Sequence, residues 1–504
     1  MRRETRMTAT VCFEDTEIAP EELDARARKL AGGLAALGMR EGDVVAVLLR
    51  NDPVYVDIIL ACRIGGFSYC PVNWHFTPSE IGYILEDCGA RAVIGHADLL
   101  SAARAALPHG VTTLAVAGDA GGEAVEYQTW LVHQPDYSGP VVAPRGHMAY
   151  TSGTTGRPKG VVRVPVPPRE LELYWRRSLE VMEACFGVRA GCRALVPAPL
   201  YHSAPSGFVQ WTSQIAETLV IAPRFDAEQT LALIERHRVD TLYCVPTMYV
   251  RLLKLPRGVR ERYDLSSLRF VGSTGAPCAP EVKKALIDWL GPIVRETYAS
   301  SESGWITVID SKEALERPGS VGRPVGEARI RVVSPDGVDC PPGETGIIYV
   351  RQPAYTDFTY RNQPDARERV ALDDLITVGD MGYLDADGYL YICDRAVDMV
   401  ISGGVNIYPA EIENAILGHP GVLDCAVFGV PDPEFGERLH ALVQPERDAV
   451  IDPEELGRAL RVTLAGFKVP RNIEIVDDLP RDDNGKIAKH HIRAHYAEAG
   501  ARRP

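Results

Sequence analysis

Apolar and polar positions alternate along most of the chain with two periods, one helical and one extended. Residues 21–37 repeat apolar side chains at helical spacing, and residues 44–49 form a β-branched run typical of a buried strand. The succession continues with a predicted helix over 53–64 and predicted strands over 69–72 and 92–95. Strands that alternate with helices in this way favour an α/β fold with a largely parallel sheet.

The middle of the chain repeats the pattern, and the region after it does not. Short apolar runs predict further strands at residues 195–197, 219–222, 241–245 and 270–273. After about Gly319 the chain changes to short strands separated by glycine-containing turns, which predicts an antiparallel β subdomain.

Residues 394–409 are interpreted as a linker and loop that precede a helix over 410–417, with Pro409 in its first turn. These patterns predict a domain at residues 1–396, made of layered β-sheets with helices plus the β subdomain. A small α+β domain at residues 397–504 is predicted to follow it.

Composition and charge exclude several classes of protein. The apolar content of 46% and the charged content of 24% are ordinary for globular proteins. The formal net charge of −14 gives an acidic surface, which argues against nucleic acid or anionic lipid as a partner. Apolar runs long enough to span a membrane or to serve as a signal peptide are absent from the sequence, so we expect a cytoplasmic protein. Whether it forms a homo-oligomer is left open.

The cysteines indicate neither disulfides nor a zinc knuckle. There are eleven of them, an odd number, and none forms a CxxC pair. We interpret them as reduced and mostly buried small apolar side chains.

The most informative segment for chemistry is the run Tyr150-Thr151-Ser152-Gly153-Thr154-Thr155-Gly156-Arg157-Pro158-Lys159-Gly160. Its glycines let backbone N–H groups approach an anion, its hydroxyl side chains add donors, and Lys159 adds a positive charge. It is predicted to be a phosphate-binding loop. A Walker A loop requires glycine before the lysine and a hydroxyl residue after it, whereas this chain has Pro158 and Gly160.

This segment resembles the phosphate loop of the AMP-forming adenylating superfamily, whose members include acyl-CoA synthetases and peptide-synthetase adenylation domains. Further segments resemble family elements in the same order along nearly the whole chain: residues 199–203, 275–277, 298–302, 343–346, 378–380, 394–395, 402–409, 466–471 and 479–487. The resemblance implies a large N-terminal domain of layered β-sheets with helices and a small, mobile C-terminal domain. It also implies that the protein binds ATP, Mg²⁺ and a carboxylic acid.

The resemblance also implies roles for individual residues. It implies an ATP site made of Thr151, Ser152, Gly153, Thr154, Thr155, Gly156, Lys159, Gly275, Ala276, Pro277, Tyr298, Asp380 and Arg395. Within it, Tyr298 would stack on adenine, Asp380 would accept the ribose hydroxyls, and Arg395 would support the ribose or phosphate. Glu302 would hold Mg²⁺ and Ser301 would donate to the α-phosphate. Such donors and charges are needed because two anions must meet when a carboxylate attacks the α-phosphate.

The remaining implied roles concern the acid, the thiol and the catalytic lysine. Tyr201, His202 and Trp305 would line the acyl pocket, although His202 also fits a buried core histidine. Coenzyme A is the expected acceptor, because residues 402–413 resemble acyl-CoA synthetases most, and Gly403 and Gly404 would let its pantetheine arm pass close to the backbone. Lys486 would bridge the carboxylate and the α-phosphate.

The sequence departs from the family pattern at three positions. Ala299 stands where glycine is usual, Ser301 where threonine is usual, and Val397 followed by Asp398 where the pivot between domain orientations is usually Asp or Lys. The serine keeps a hydroxyl, so activity is still expected, whereas the pivot is expected to behave differently.

The expected activity is therefore AMP-forming activation of an apolar acid, fatty, aromatic or otherwise ring-bearing, and transfer of the acyl group to coenzyme A. Two alternatives remain. A free-standing ligase that loads a carrier protein would use the same first step. A nucleotide-binding regulator would keep the fold without catalysis, which the joint presence of Lys486, Glu302, Asp380 and Arg395 argues against.

Overall fold

The computed structural model describes residues 9–119, 121–122, 124–140, 142–151, 158–402, 405–481, 487 and 489–501. The chain divides into two compact units. The first comprises Met1–Ile330 with Val350–Ile376, and the second comprises Arg331–Tyr349 with Thr377–Pro504. Residues 331–349 and 377–396 thus belong with the C-terminal part of the chain, whereas the predicted boundary after residue 396 groups them with the N-terminal part. That boundary stays a prediction.

The first part of the first unit alternates strands and helices. Its strands are β1 (Thr10–Phe13), β2 (Thr16–Ile18), β3 (Val44–Leu48), β4 (Ser68–Pro71), β5 (Ala90–His96), β6 (Thr112–Val116), β7 (Val125–Glu126) and β8 (Ala149–Thr151). Its helices are α1 (Pro20–Ala36), α2 (Val54–Gly65), α3 (Pro78–Cys88), α4 (Ala97–Ala102) and α5 (Tyr127–Val132).

The rest of the first unit continues the alternation. Its strands are β9 (Lys159–Arg163), β10 (Arg193–Val196), β11 (Thr218–Ile221), β12 (Thr241–Cys244), β13 (Phe270–Ser273), β14 (Val294–Ser300), β15 (Gly304–Ile309) and β16 (Ser320–Pro324). Its helices are α6 (Leu171–Phe186), α7 (Ser203–Ile215), α8 (Ala227–His237), α9 (Pro246–Leu253), α10 (Arg257–Arg260), α11 (Pro280–Leu290) and α12 (Ser311–Glu316).

Along the sequence, the chain then alternates between the two units and ends in the second one. Two strands run across the division, β17 (Arg329–Val333) and β18 (Gly346–Arg351). The first unit is completed by β19 (Phe358–Tyr360), α13 (Asp365–Glu368), β20 (Ala371–Leu372) and β21 (Leu375–Ile376). The second unit contains β22 (Asp380–Leu384), β23 (Leu390–Arg395), β24 (Val400–Ser402), β25 (Val405–Ile407), α14 (Pro409–Leu417), β26 (Val422–Asp432), β27 (Gly436–Pro445), α15 (Pro453–Thr463), β28 (Asn472–Ile475) and α16 (Lys489–Ala501).

A parallel sheet and a mixed sheet with a parallel centre form the framework of the first unit. One sheet has the order β4-β3-β5-β6-β7, and another runs β2-β1-β11-β10-β12-β13-β14-β15-β16. Strand β3 explains why these strands are apolar throughout: Val45 and Val47 pack into one core, whereas Val44, Ala46 and Leu48 pack into a second core on the opposite face. A strand covered on both faces has no solvent side, so its sequence does not alternate.

The second unit builds its sheet around a long hairpin. Strands β26 and β27 pair antiparallel over most of their length, and β28 joins β27 in parallel. Helix α14 packs Ile412 and Ile416 onto the apolar face of this sheet. Its N-terminus lies where Pro409 indicates, because proline tolerates the missing N–H of a first helical turn.

The predicted fold class is confirmed: layered α/β sheets in a large N-terminal part and a small C-terminal part. The predicted helices over 21–37, 53–64 and 410–417 correspond to α1, α2 and α14 within one or two residues. The interpretation of 394–409 as linker and loop is wrong in part, because β24 and β25 pair with each other and Ser402 pairs with Gly436 of β27.

Two further observations bear on the expectations from composition. In the described part of the chain, the helices are all too short or too polar to cross a lipid bilayer. The cysteines carry free thiols and are mostly buried, in line with their expected role as small apolar side chains.

Candidate active site

The phosphate-loop segment connects two paired strands. Strands β8 and β9 are antiparallel, and Thr151 stands directly opposite Lys159 at their ends. The predicted ligands Ser152, Gly153, Thr154, Thr155 and Gly156 lie outside the described residues. Thr151 and Lys159, the two described ends of the segment, therefore lie side by side, because the segment joins adjacent antiparallel strands.

Glu302 is a buried acid in contact with Thr151, at the described end of strand β8. Its side chain lies in the turn between β14 and β15 and is only 8% exposed. Its Oε1 accepts hydrogen bonds from the Thr151 hydroxyl at 3.1 Å and from the Tyr360 hydroxyl at 3.2 Å. Lys159 places its Nζ 5.4 Å from the centroid of the Tyr360 ring. Thr151 and Lys159 thus meet Glu302, which follows them by more than 140 positions in the sequence, around Tyr360.

The chemistry of this group suits a hard divalent cation. A carboxylate flanked by hydroxyl oxygens offers the ligands that Mg²⁺ prefers. Burial, followed by the charge of Glu302, raises the pKa of Tyr360, so this hydroxyl stays protonated and serves as a donor. The donor set around Glu302 therefore fits the Mg²⁺ that the family resemblance implies.

Among the described residues, the Ser301 side chain hydrogen-bonds to helix α7 and not to the group around Glu302. Its hydroxyl lies 3.0 Å from the hydroxyl of Ser203, the first residue of α7. Its backbone carbonyl accepts a hydrogen bond of 2.7 Å from Arg163, which also donates to the carbonyl of Thr356 at 3.0 Å. Arg163 thereby fixes the backbone of the predicted catalytic turn.

Buried polar side chains position the segment that leads to Tyr201 and His202. Asn51 donates to the carbonyl of Ala198 at 3.0 Å and accepts from the backbone N–H of Leu200 at 2.8 Å. The Tyr55 hydroxyl donates to the carbonyl of Leu200 at 2.7 Å. These bonds order a loop that follows directly on strand β10.

An aromatic cluster surrounds Tyr201 and His202. Their rings lie 4.4 Å apart, and Tyr201 makes edge contacts with Trp74 at 6.5 Å and His75 at 6.3 Å. Burial, followed by the charge of Arg50, lowers the pKa of His75, so this ring is neutral near pH 7. Tyr201 and His202 are both half-buried beside these aromatic rings.

Trp305 belongs to the main core. Its ring meets Phe186 edge-on at 5.2 Å and lies 5.9 Å from the ring of Tyr355, and its six-membered ring is next to Gly207 of α7. The indole Nε1 of Trp305 and the hydroxyl of Tyr355 are both buried and make no hydrogen bond within the described residues. Leaving a buried donor unsatisfied costs about 1–3 kcal/mol, so both atoms offer a bond that a bound molecule can complete.

The predicted adenine-side residues follow the carboxyl ends of parallel strands. Gly275, Ala276 and Pro277 form an exposed loop after β13, and Gly275 has a φ of 89°, which favours glycine. Tyr298 lies on the adjacent parallel strand β14, beside a register shift between Tyr298 and Ala299. Ligands of open α/β sheets bind at this edge, because the strand ends and their loops converge there.

A buried ion pair secures that edge. Lys283 on α11 contacts Glu296 on β14 at 2.6 Å, with both side chains less than 5% exposed. Glu296 also accepts from the backbone N–H of Cys278 at 2.9 Å, and Lys283 donates to the carbonyl of Ser320 at 3.1 Å. Each charge is therefore satisfied by its partner and by a backbone group, which is the condition for tolerating buried ions.

In the second unit, Asp380 and Arg395 are cross-strand neighbours. They stand opposite each other on β22 and β23, and the Arg395 Nε lies 3.5 Å from the Asp380 carboxylate. The adjacent Asp394 is 8% exposed and accepts from the backbone N–H of Ala410 at the start of α14, at 2.9 Å. Burial raises the pKa of Asp394.

The predicted residues Gly403, Gly404 and Lys486 lie outside the described residues. The chain beyond Lys486 is anchored by Lys489, whose Nζ contacts the Glu413 carboxylate at 2.8 Å. Burial alone would lower the pKa of Lys489, but Glu413 and Asp394 raise it, so this ammonium stays charged. Glu413 in turn accepts from the backbone N–H of Val427 at 2.7 Å.

Sequence reasoning missed several residues that hold the predicted ones in place: Tyr360, Arg163, Ser203, Asn51 and Lys283. Tyr360, Arg163 and Lys283 lie in ordinary strands or helices, and Asn51 lies between β3 and α2, all without a motif of their own. Only Ser203 carried a signal, because it directly follows Tyr201 and His202 in the same segment.

Two family models match this chain. The model for AMP-binding enzyme matches residues 1–357, and the model for AMP-binding enzyme C-terminal domain matches residues 411–486.

Curated relatives match over almost their whole length. The chain is 36% identical over 483 residues to a feruloyl-CoA synthase of Amycolatopsis sp, covering 95% of this chain and 94% of that protein. It is 32% identical to the fatty acid–[acyl-carrier-protein] ligase ScoC of Streptomyces coeruleorubidus, covering 98% and 95%. Among solved structures, the o-succinylbenzoate CoA synthetase MenE of Bacillus subtilis, in complex with its acyl-adenylate intermediate, matches with a TM-score of 0.82 and 26% identity, covering 97% and 96%.

Proposed function

Because this chain belongs to the AMP-binding enzyme family, and is by class an AMP-forming acid–thiol ligase, we propose that it activates an apolar carboxylic acid, fatty, aromatic or otherwise ring-bearing. The acid and ATP form an acyl-adenylate and pyrophosphate, and coenzyme A then takes the acyl group and releases AMP. The observation that carries this proposal is the buried Glu302 group, in which the ends of the phosphate-loop segment meet a carboxylate.

The proposed first step brings two anions together. Lys159 and the phosphate-loop hydroxyls bind the phosphates, Ser301 donates to the α-phosphate, and Lys486 offsets the charge of the approaching carboxylate. Glu302 is the proposed ligand of Mg²⁺, which neutralises phosphate charge when bound. Tyr360 donates to Glu302 and so orients its carboxylate.

The nucleoside is proposed to lie against the loop of Gly275, Ala276 and Pro277 with Tyr298 stacked on the adenine. Asp380 is the proposed acceptor for the ribose hydroxyls, with Arg395 beside it. Gly403 and Gly404 are proposed to pass the pantetheine arm of coenzyme A, because a backbone without side chains permits close approach.

The acid is proposed to carry a ring with a polar substituent rather than a plain alkyl chain. Tyr201, His202 and Trp305 contribute aromatic surface that suits a flat ring. The Trp305 Nε1 and the Tyr355 hydroxyl, which have no hydrogen-bond partner among the described residues, would complete their hydrogen bonds with a substituent such as a hydroxyl or an ether oxygen. The name of the relative with 36% identity, a feruloyl-CoA synthase, supports an acid of this class.

A panel of acids tests the proposed substrate class. Pyrophosphate release is measured with cinnamic acids that have or lack ring hydroxyl and methoxy groups, with indole-bearing acids, and with straight-chain fatty acids. The expected kcat/KM is highest for a substituted aromatic acid, and Tyr355→Phe should lower that preference over the unsubstituted analogue by about 5-fold or more, as loss of one buried hydrogen bond implies. A straight-chain acid preferred over the aromatic acids would contradict the proposed class.

A second acceptor has one observation in its favour, the 32% identity to a ligase named for an acyl-carrier protein. Supplying coenzyme A and a phosphopantetheinylated carrier protein side by side distinguishes the two. Thioester formation on coenzyme A at saturating rates, with little on the carrier, is the expected result.

A further inference from the structure

We propose a second metal site, for Zn²⁺ or a similar borderline-soft divalent cation, formed by Cys12, Glu17 and His237 on the first unit. The Cys12 Sγ, a Glu17 carboxylate oxygen and one imidazole nitrogen of His237 all lie within 4.8 Å of one another. These residues are separate from those proposed to bind ATP, the acid and coenzyme A, so this inference does not depend on the proposed function.

Three different elements supply the three side chains. Cys12 and Glu17 stand directly opposite each other on the antiparallel strands β1 and β2, and their Sγ and Oε1 atoms are 3.9 Å apart. His237 is the last residue of α8. Arg236 beside it donates to Asp15 in the turn of the hairpin at 3.2 Å, so helix end and hairpin are already held together.

The environment of the His237 imidazole indicates that this cluster binds a ligand. Its side chain belongs to a residue only 8% exposed, and its Nε2 is buried with no hydrogen-bond partner among the described residues. A buried imidazole nitrogen is normally hydrogen-bonded, because leaving it unpaired costs free energy. Coordination of a metal ion at this cluster would order the imidazole ring and remove that cost.

The geometry and charge of the cluster suit a tetrahedral site. Zn²⁺ with a thiolate at about 2.3 Å and a carboxylate oxygen at about 2.0 Å separates those two atoms by about 3.5 Å, which is close to the distance found here. A thiolate and a carboxylate together neutralise the two charges of the cation. Glu17 is exposed, so water can occupy the fourth position.

The ligand set favours Zn²⁺ over other cations, and the nearby arginines are paired with acids outside the cluster. Sulfur and imidazole ligands suit Zn²⁺ and are avoided by Mg²⁺ and Ca²⁺. Arg193 is paired with Glu217 at 2.5 Å, and Arg236 is paired with Asp15. Their positive charges are therefore partly offset by acids outside the cluster.

Binding here would fasten the N-terminal hairpin to the end of α8. Strand β1 also pairs with β11 in the main sheet, so the site would stiffen one edge of that sheet. The proposed role of the metal is structural, so we expect its effect in metal-binding measurements and in the thermal stability of the chain.

Cobalt titration tests the site directly. The full-length chain without a polyhistidine tag is stripped with a chelator and titrated with Co²⁺, and the thiolate-to-cobalt charge-transfer absorption is followed. We expect this band to saturate at one equivalent, to be displaced by Zn²⁺, and to be absent at one equivalent in Cys12→Ser. In His237→Gln, binding should weaken by 100-fold or more, whereas Cys192→Ser, which removes another buried thiol near the same sheet edge, should bind as the unmodified chain does.

A substitution at the exposed ligand Glu17 tests the site even if the variants at the buried residues Cys12 and His237 fold poorly. Glu17→Gln lies on a hairpin surface and should keep the fold, yet weaken Co²⁺ binding by about 10-fold or more. Zn²⁺ should raise the thermal midpoint of the unmodified chain more than that of Glu17→Gln at the same concentration. No thiolate-to-cobalt band at one equivalent, or a band that survives Cys12→Ser, would overturn the proposal, and either result leaves the ligase reaction untouched.

Discussion

Glu302 is the residue on which the proposed adenylation chemistry depends most. Glu302→Gln keeps the size of the side chain and removes its charge. We expect the rate of acid-dependent pyrophosphate exchange to fall about 10²- to 10³-fold, and the Mg²⁺ concentration for half-maximal rate to rise, because the proposed ligand is lost.

Tyr360→Phe is the matched control for that change, because it removes one hydrogen bond to Glu302 and keeps the carboxylate. We expect a loss of about 10-fold or less. If Glu302→Gln stayed within about twofold of the unmodified enzyme, Glu302 would have no part in binding the metal or the phosphates.

His147 makes stability depend on pH. Burial, followed by the charge of Arg163, lowers the pKa of His147 to about 4, whereas an unfolded histidine titrates near about 6.5. The folded state therefore binds fewer protons than the unfolded state between these values. This contribution to stability is complete above about pH 6.5 and is lost as the pH falls toward 4.

His147→Asn should remove that dependence. Thermal midpoints measured at pH 7.5 and pH 5 are expected to differ less in the variant than in the unmodified chain, by an amount that corresponds to about 1 kcal/mol or more. An identical difference in both proteins would mean that His147 is not the group responsible.

At the scale of elements, the buried pair of Lys283 and Glu296 joins α11 to β14 below the proposed adenine loop. Lys283→Met leaves the Glu296 carboxylate buried without its counter-charge, which typically costs about 3–5 kcal/mol. We expect a clear drop in the thermal midpoint of the first unfolding transition. Lys284→Met is the control, because Lys284 is exposed and pairs with Asp288 on the same helix. Equal effects of the two substitutions would show that the buried pair contributes no more than a surface pair.

The elements that sequence predicts well are those with a strong local signal. Strand β3 is continuously apolar because both of its faces are covered, and α14 begins at a proline that suits a first turn. The sequence does not reveal the hairpin of β24 and β25, because each strand has only three residues and the further partner of β24, β27, begins more than thirty residues after β24 ends.

The candidate site was predicted unevenly for a similar reason. Motif residues such as Thr151 and Glu302 could be predicted from the sequence, because they occur in unusual runs. Their supporting residues could not, because Tyr360 and Arg163 gain their roles from long-range contacts with a motif residue. Likewise, no sequence spacing reveals the cluster of Cys12, Glu17 and His237, since His237 follows the other two by more than 200 positions.

At the scale of the whole molecule, the proposed reaction has two halves that Lys486 should separate. Lys486→Ala removes the ammonium that offsets charge as the carboxylate meets the α-phosphate, so adenylation should fall by orders of magnitude, corresponding to about 3 kcal/mol or more. Thioester formation from supplied acyl-adenylate should stay nearly intact.

Measuring each half-reaction separately checks this expectation, with Lys312→Ala, an exposed lysine on α12, as a control that should leave both rates within about twofold. Equal loss in both half-reactions would assign Lys486 a general or structural role.

The central claim is that this chain joins an acid to coenzyme A at the expense of the α–β phosphate bond of ATP. The most direct measurement is a product balance by chromatography and mass spectrometry, with ATP, Mg²⁺, coenzyme A and the acid that the panel favours. We predict equal amounts of AMP, pyrophosphate and acyl-CoA. ADP with orthophosphate as the main products, or AMP formed without any thioester, would contradict the account.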